Sequence, residues 1–255
     1  MDDFERLVAE GASVPVDGWD FSWFEGRATE ERPPWGYLRL ISERMATAHA
    51  ALDIQTGGGE VLAKIPAAPP VLAATEAWPP NLAIARTNLA PLGGTVEHVA
   101  EDAPLPFPDA SFDLVVSRHP TVTDWTEIAR VLTPGGTFLS QQIGAGTNIE
   151  LTSFFKGPQE IPEHWLTGYR VARAEAAGLE VRDVREATLR VVFHDVAAVI
   201  VFLRKVIWTV DAFSVERYRE RLADLHRRIR RDGSFVSHAQ RFLIEARKPV
   251  TARRS

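Results

Sequence analysis

In LDIQTGGGE, residues 52–60, the acid Asp53 ends an apolar run and is followed within four positions by three consecutive glycines. Successive glycines let a backbone come close to a ligand, and a helix opening at such a turn presents free N–H donors. By itself the turn is as compatible with a structural role as with nucleotide binding. A second acid sharpens the reading: Glu76 stands 23 positions after Asp53, at the end of the next apolar run, where a carboxylate can accept from the two hydroxyls of a ribose. Two acids at the ends of adjacent strands favour a ribose-bearing cofactor over a pair of caps. The candidates for proton transfer are His119, after the fourth apolar run, and His194, beside Asp195. A lone histidine serves equally as a packing or polar-contact residue, and geometry decides between the roles. Gln141, Gln142 and Asn148 lie at and beyond the fifth run, where open α/β sheets hold substrate and where loop hydrogen bonding is the competing role.

These residues need a scaffold that brings strand ends together. Apolar runs at 50–54, 71–75, 96–99, 114–117 and 137–141 read as five buried parallel strands, separated by helical patterns at 60–65, 81–92 and 124–132. Gly93-Gly94 and Pro134-Gly135-Gly136 supply the stops. Asp113 sits at a strand start and reads as structural. Further on, a helix is expected over 164–177, strands over 179–184 and 189–193, helices over 196–208 and 215–231, and a last strand over 240–246. The first 40 residues show little periodicity but carry Trp19, Trp23, Trp35 and Tyr37. Each alone reads as packing, and as a group they suggest a segment closing over the site.

Composition removes several functions. Of 255 residues, 45% are hydrophobic, enough to bury a core, and none is cysteine, which excludes disulfides, thiolate metal sites and a cysteine nucleophile. No metal site is expected. The net charge of -5 argues against a nucleic-acid partner. The segment 215–233 holds seven Arg against four acids and reads as a solvated amphipathic helix with Leu222, Leu225 and Ile229 inward. The opening MDDFERLVAE lacks the basic start and apolar run of a signal peptide, and the apolar stretch 196–210 is interrupted by Arg204 and Lys205. A cytoplasmic protein without membrane contact is expected.

Taken together, LDIQTGGGE, Glu76, AEDAPLPFPDASFDLVVSRH at 100–119 and EIARVLTPGGTFLSQQ at 127–142 resemble the class I S-adenosylmethionine-dependent methyltransferases, of the type 11 kind and similar to a bacterial, actinomycete-type subgroup. The closing RFLIEARKP is similar to that fold's antiparallel last strand. The resemblance implies an α/β fold with a doubly wound, mostly parallel sheet of seven strands. It would be a single domain over 1–255 with its cofactor core at 45–145, the segment 1–40 and a helical insertion at 196–231 forming a cap. It implies S-adenosylmethionine as cofactor. Asp53, Gln55, Thr56, Gly57 and Gly59 would surround its methionine part, Glu76 would bind the ribose hydroxyls, and Ala77 is a further cofactor-binding candidate. Trp78, Asp102 and Ala103 would meet the adenine, while Ser117, Arg118 and His119 would line the methionine carboxylate and the path to substrate. Trp23, Trp35, Tyr37, Gln141, Gln142 and Asn148 are the substrate-side candidates. One departure stands out: Gln55 occupies the place of the family's first glycine, so either the turn shifts or Gln55 makes a polar contact.

The expected activity is methyl transfer to an oxygen or nitrogen of a small molecule. Two rivals remain: a non-catalytic or regulatory protein on the same scaffold, which Gln55 keeps open, and an RNA methyltransferase. A dehydrogenase is disfavoured, because Leu62 stands where its fingerprint needs a small residue.

Overall fold

The computed structural model describes residues 2–16 and 21–250. The chain opens with helix α1 (Asp3–Ser13), strand β1 (Ala28–Glu30) and helix α2 (Tyr37–Met45). Alternation follows: β2 (Ala50–Ile54), β3 (Val71–Glu76), α3 (Pro79–Leu89), β4 (Thr95–His98), β5 (Phe112–Arg118), α4 (Trp125–Val131) and β6 (Leu132–Ile143). The remainder comprises α5 (Ile149–Lys156), α6 (Thr167–Ala176), β7 (Glu180–Phe193), α7 (Val196–Lys205), α8 (Arg219–Asp232) and β8 (Phe235–Arg247). These residues gather into two units, the first from 1–32, 145–162 and 188–240, the second from 33–144, 163–187 and 241–255.

The second unit is a doubly wound layer structure. Strands β4, β3, β2, β5 and β6 pair in parallel in that order, and the last part of β8 runs antiparallel to β6, with Thr137 opposite Arg247 and Ile143 opposite Arg241. Every residue of β2 is buried, as expected of a central strand covered on both faces. Alternate side chains feed two separate cores. Ala51, Ala74 and Val116 pack with Leu40, Ile41, Leu82 and Leu89 from α2 and α3. Leu52, Val115 and Phe138 pack with Trp125, Ile128 and Ala174 from α4 and α6.

In the first unit, β1 pairs antiparallel with the end of β7, Ala28 opposite Phe193, which brings the strand count to eight where seven are expected from sequence. Helix α1 begins with Asp2 accepting the Glu5 N–H at 2.8 Å and packs on α7. The contact is close: a Cβ on Gly11 would lie 3.0 Å from the Ala197 carbonyl oxygen and from Ile200 Cβ. Arg204 donates to the carbonyls of Gly11 and Val14 at 2.7 and 2.8 Å, satisfying the open end of α1. On α8, Leu222, Leu225 and Ile229 are buried, as their spacing requires.

Other expectations change. The helix anticipated over 60–65 is only a 3-10 turn, Leu62–Lys64. Pro66 disfavours helical backbone at Ile65, so too few residues remain after Gly59 to nucleate a helix. The segment thought irregular contains α1. The two strands expected over 179–193 are one, since Arg185–Thr188 has polar residues but no Gly, Pro or Asn to turn on. The helix expected to reach residue 208 ends at Lys205, and the Arg-rich helix starts at Arg219 instead of 215. Among the described residues, no helix is long and apolar enough to cross a membrane.

Candidate active site

In the second unit, β2 runs between β3 and β5, and the chain leaves it for one side and returns on the other. This is a topological switch point, where open α/β sheets hold ligands beyond the carboxyl ends of their strands. Asp53 lies in register with Ala74 and Val116, Ile54 with Ser117, and Glu76 with His98. Both acids are buried, at 8% and 7% exposure. Asp53 accepts from Thr56 Oγ1 at 2.6 Å. Burial raises its carboxyl to about 7, with Glu76 adding and the Thr56 bond and Arg118 opposing. Glu76 accepts from the Gly57 N–H at 2.8 Å and the Trp78 N–H at 2.9 Å, one on each oxygen. A carboxylate has about four acceptor positions, so each oxygen of Glu76 keeps one in reserve.

The turn after β2 holds Gln55, Gly57 and Gly59 at φ of 57°, 65° and 75°. A Cβ on Gly59 would come 3.2 Å from Leu89 Cγ, so glycine there lets α3 approach. The Thr56 N–H bonds the Thr75 carbonyl at 2.9 Å, and the Gln55 N–H bonds Thr75 Oγ1 at 3.1 Å. The turn is therefore tied to the end of β3 with a side chain at the place of the first glycine. That side chain crosses to the loop after β5. Gln55 Oε1 accepts from the Thr121 N–H at 2.7 Å and Thr121 Oγ1 at 2.9 Å, and Nε2 donates to the Val122 carbonyl at 2.7 Å. Because no α-helix follows the glycines, the donors here are those of the turn itself, and Gly57's is taken by Glu76.

A crevice opens between these elements, lined by Gln55, Thr75 and Ser117 and by Val99, Ala100, Glu101, Ala103, Leu105 and Ile128. Thr123 and Glu127 also reach it. Of the lining residues, Val99 to Leu105 belong to the loop between β4 and β5, which is stapled by one arginine. Arg130 donates to the carbonyls of Leu105 and Phe107, to Asp109 and to both oxygens of Glu127, and Glu127 in turn accepts the Leu105 N–H at 2.7 Å. Ser117 turns its hydroxyl to the Ile54 carbonyl at 2.8 Å.

Trp35, Gln141 and His119 form a relay. The Trp35 Nε1–H donates to Gln141 Oε1 at 2.7 Å, and since indole is donor-only the amide orientation is fixed. Gln141 Nε2 then faces His119 Nε2 at 2.9 Å and must donate, which leaves the ring's proton on Nδ1. Burial, with Arg118 and Arg241, holds His119 well below the ordinary imidazole range. Tyr37 opens α2 with a buried hydroxyl, pushed upward by burial and by Asp53. Gln142 donates to Thr123 Oγ1 and Ser140 Oγ, both at 3.2 Å, and accepts from Arg170 Nη1 at 3.2 Å. Arg170 lies over Trp165 at 5.3 Å, and its Nε is buried without a partner.

Of the residues singled out from sequence, Gln55, Ala103 and Ser117 line the crevice; Asp53, Thr56, Gly57, Gly59 and Glu76 build the turn beside it. Ala77 gives its carbonyl to His98 Nε2 at 2.8 Å, and Trp78 is 47% exposed. Asp102 and Arg118 are exposed and outside the lining. Three candidates lie in the first unit, and a fourth lies outside the described residues. Trp23 carries Arg27 over its ring at 4.6 Å within the first unit. Also in that unit, His194 lines a polar cavity with Asp3, Arg6, Arg27 and His226, and Asn148 sits at φ 54° with Oδ1 buried and unpartnered. Trp19 lies outside the described residues. Asp113 is structural, its two oxygens accepting the N–H groups of His49 and Ala50 at 2.9 Å. Sequence reasoning missed Thr121, Val122 and Arg170, for which no local signal exists. It also missed the Glu127–Arg130 staple, whose i, i+3 spacing was a usable one.

Residues 52–140 match the family model described as a methyltransferase domain. No curated protein matches the chain. Among solved structures, YcgJ of Bacillus subtilis is 19% identical with a TM-score of 0.58, over 83% of this chain and 97% of that one. A protein assigned as a methyltransferase from Bacillus halodurans C-125 is 20% identical with a TM-score of 0.56, over 83% and 98%. The [4+2]-cyclase SpnF is 18% identical with a TM-score of 0.51, over 84% and 81%. The chain therefore carries a methyltransferase domain over residues 52–140, and at 18–20% identity its likeness to these structures is one of fold.

Proposed function

We propose that this chain transfers the methyl group of S-adenosylmethionine to an oxygen or nitrogen of a small molecule, with S-adenosylhomocysteine as the other product. The observation that carries the reading is Glu76: a buried carboxylate beside the glycine turn at the switch point, with one acceptor position spare on each oxygen for a pair of ribose hydroxyls. The apolar wall of Val99, Ala100, Ala103, Leu105 and Ile128 suits the adenine. Asp53, neutral or ionised near neutral pH, suits the charged end.

When bound, the donor supplies a methyl group on a sulfonium, open to direct displacement. The chain's own residues then have to align the acceptor and keep water out. His119 takes no proton in this reading, since its free ring nitrogen already accepts from Gln141 and its basicity is depressed. The acceptor would therefore be a group that attacks without a strong base, such as a neutral amine or an acidic hydroxyl. Arg170, with no carboxylate partner among the described residues and two hydrogen bonds away from crevice-lining Thr123 through Gln142, suits an acceptor that carries a carboxylate. SpnF, a cyclase on this fold, illustrates that the scaffold leaves the reaction open.

The test is isothermal titration calorimetry with S-adenosylmethionine and S-adenosylhomocysteine, followed by mass-spectrometric detection of S-adenosylhomocysteine release against a panel of amine and phenol carboxylic acids. Saturable binding with acceptor-dependent release supports the reading. Absence of binding at millimolar S-adenosylmethionine sinks it.

A further inference from the structure

We propose that the Gln55 side-chain amide is an internal stand-in for the amino-acid end of a nucleoside ligand and makes the crevice discriminate between nucleosides with and without that end. The inference rests on the reading of the crevice as an adenosine site. Its basis is the pattern of bonds. Gln55 Oε1 accepts both the N–H and the O–H of Thr121, as a ligand carboxylate oxygen would, and Gln55 Nε2 donates to the Val122 carbonyl, as a ligand ammonium would. One side chain thus satisfies both an anion-seeking and a cation-seeking group on the loop after β5.

The backbone marks the position as over-determined. Gln55 sits at φ 57°, a region glycine enters freely and an unbranched side chain such as Gln does not. Such a conformation persists only where surrounding bonds hold it, and here there are four: three from the side chain and one from the Gln55 N–H to Thr75 Oγ1. Gln55 and Val122 both line the crevice, so the bridge forms part of its wall. A nucleoside without a tail leaves the bridge intact. A nucleoside with an α-amino acid tail has to displace the amide first. It then recovers charge-assisted bonds to the same loop groups, but its affinity is reduced by the fraction of time the bridge is open.

The experiment is calorimetry of the wild type, Gln55→Gly and Gln55→Asn with adenosine, 5′-methylthioadenosine and S-adenosylhomocysteine. Glycine suits φ 57°, and asparagine tolerates it but is one methylene too short for the bridge. Both variants should bind S-adenosylhomocysteine about tenfold tighter, about 1.4 kcal/mol, with affinities for the two tail-less nucleosides unchanged. Amide exchange at Thr121 should be faster in both than in the wild type. Equal gains for all ligands, a gain confined to Gln55→Gly, or no gain for S-adenosylhomocysteine would overturn the proposal. Failure of all three folded proteins to bind any adenosine compound would instead remove the adenosine reading on which it stands.

Discussion

His119 shows how a residue type can suggest a role that its hydrogen bonds remove. It follows β5 at the site's edge, where a base would be useful. Yet Trp35 fixes Gln141, and Gln141 occupies the ring nitrogen that would take the proton. We expect ring NMR signals of His119 to show no protonation near 6.5, the ordinary imidazole midpoint; a midpoint there would contradict the relay. His119→Asn, which tolerates the φ of 56°, should then lose far less than the roughly 10²–10⁴-fold that removing a general base costs. Asp53 gives a second prediction. Its carboxyl is raised to about 7 in the folded chain against about 3.9 unfolded. Between those values the folded state holds the proton more tightly, so this contribution to stability is full at low pH and is lost as pH rises through about 7. His119 acts in the opposite sense. Its folded value is depressed, so its contribution is lost as pH falls below the unfolded value of about 6.5. Asp53→Asn should therefore melt higher than the wild type at pH 8 relative to pH 5, by an amount worth a few kcal/mol at most. Equal differences at the two pH values would remove the case for a raised Asp53. Asp53 and Glu76 were legible in sequence because strand ends are fixed by local pattern. The Gln55 bridge was not, because its partner stands 66 positions away and no local rule links them.

Elements carry the site through two unequal devices. The strands β2, β3 and β5 were readable from short apolar runs, and their ends bring the acids and Ser117 together. The helix expected after the glycines was not realised, because proline chemistry at Pro66 outweighed the apolar pattern of Val61, Leu62 and Ile65. Its absence shifts the work of shaping the crevice to the loop between β4 and β5, and α4 holds that loop through Arg130. The Arg130 bond is the leading cause that holds Glu127 below the usual carboxylate range. Arg130→Leu removes five hydrogen bonds and leaves the Leu105 and Phe107 carbonyls to find water. Because Arg130 is about a quarter exposed, water can replace part of the loss, and we expect about 1–3 kcal/mol of destabilisation. Hydrogen exchange should rise selectively over residues 100–111, and adenosine affinity should fall with it. Exchange that rises evenly over the chain would mean that Arg130 supports the fold at large.

At the scale of the molecule, the chain passes between its two units five times, at 32–33, 144–145, 162–163, 187–188 and 240–241. Sequence pattern identifies helices and strands but not which of them cluster, since clustering depends on contacts such as α1 on α7 between residues nearly 190 positions apart. The same interleaving means that truncation cannot isolate the ligand site, whereas a point substitution can separate the units' roles. Gly11 is the position for it. Within an exposed helix, glycine to alanine gains about 1 kcal/mol of propensity. Here the added methyl would stand 3.0 Å from the Ala197 oxygen and Ile200 Cβ, and neither can move without shifting α7. Overpacking of this kind costs about 1–3 kcal/mol, which offsets or exceeds the propensity gain. Gly11→Ala should therefore melt no higher than the wild type, and most plainly lower. Every crevice residue lies between 54 and 138 in the second unit, so adenosine affinity measured well below the melting temperature should be unchanged. A higher melting temperature would refute the close approach of α1 to α7, and a fall in affinity at a temperature where the variant is fully folded would show that the crevice depends on the first unit's packing.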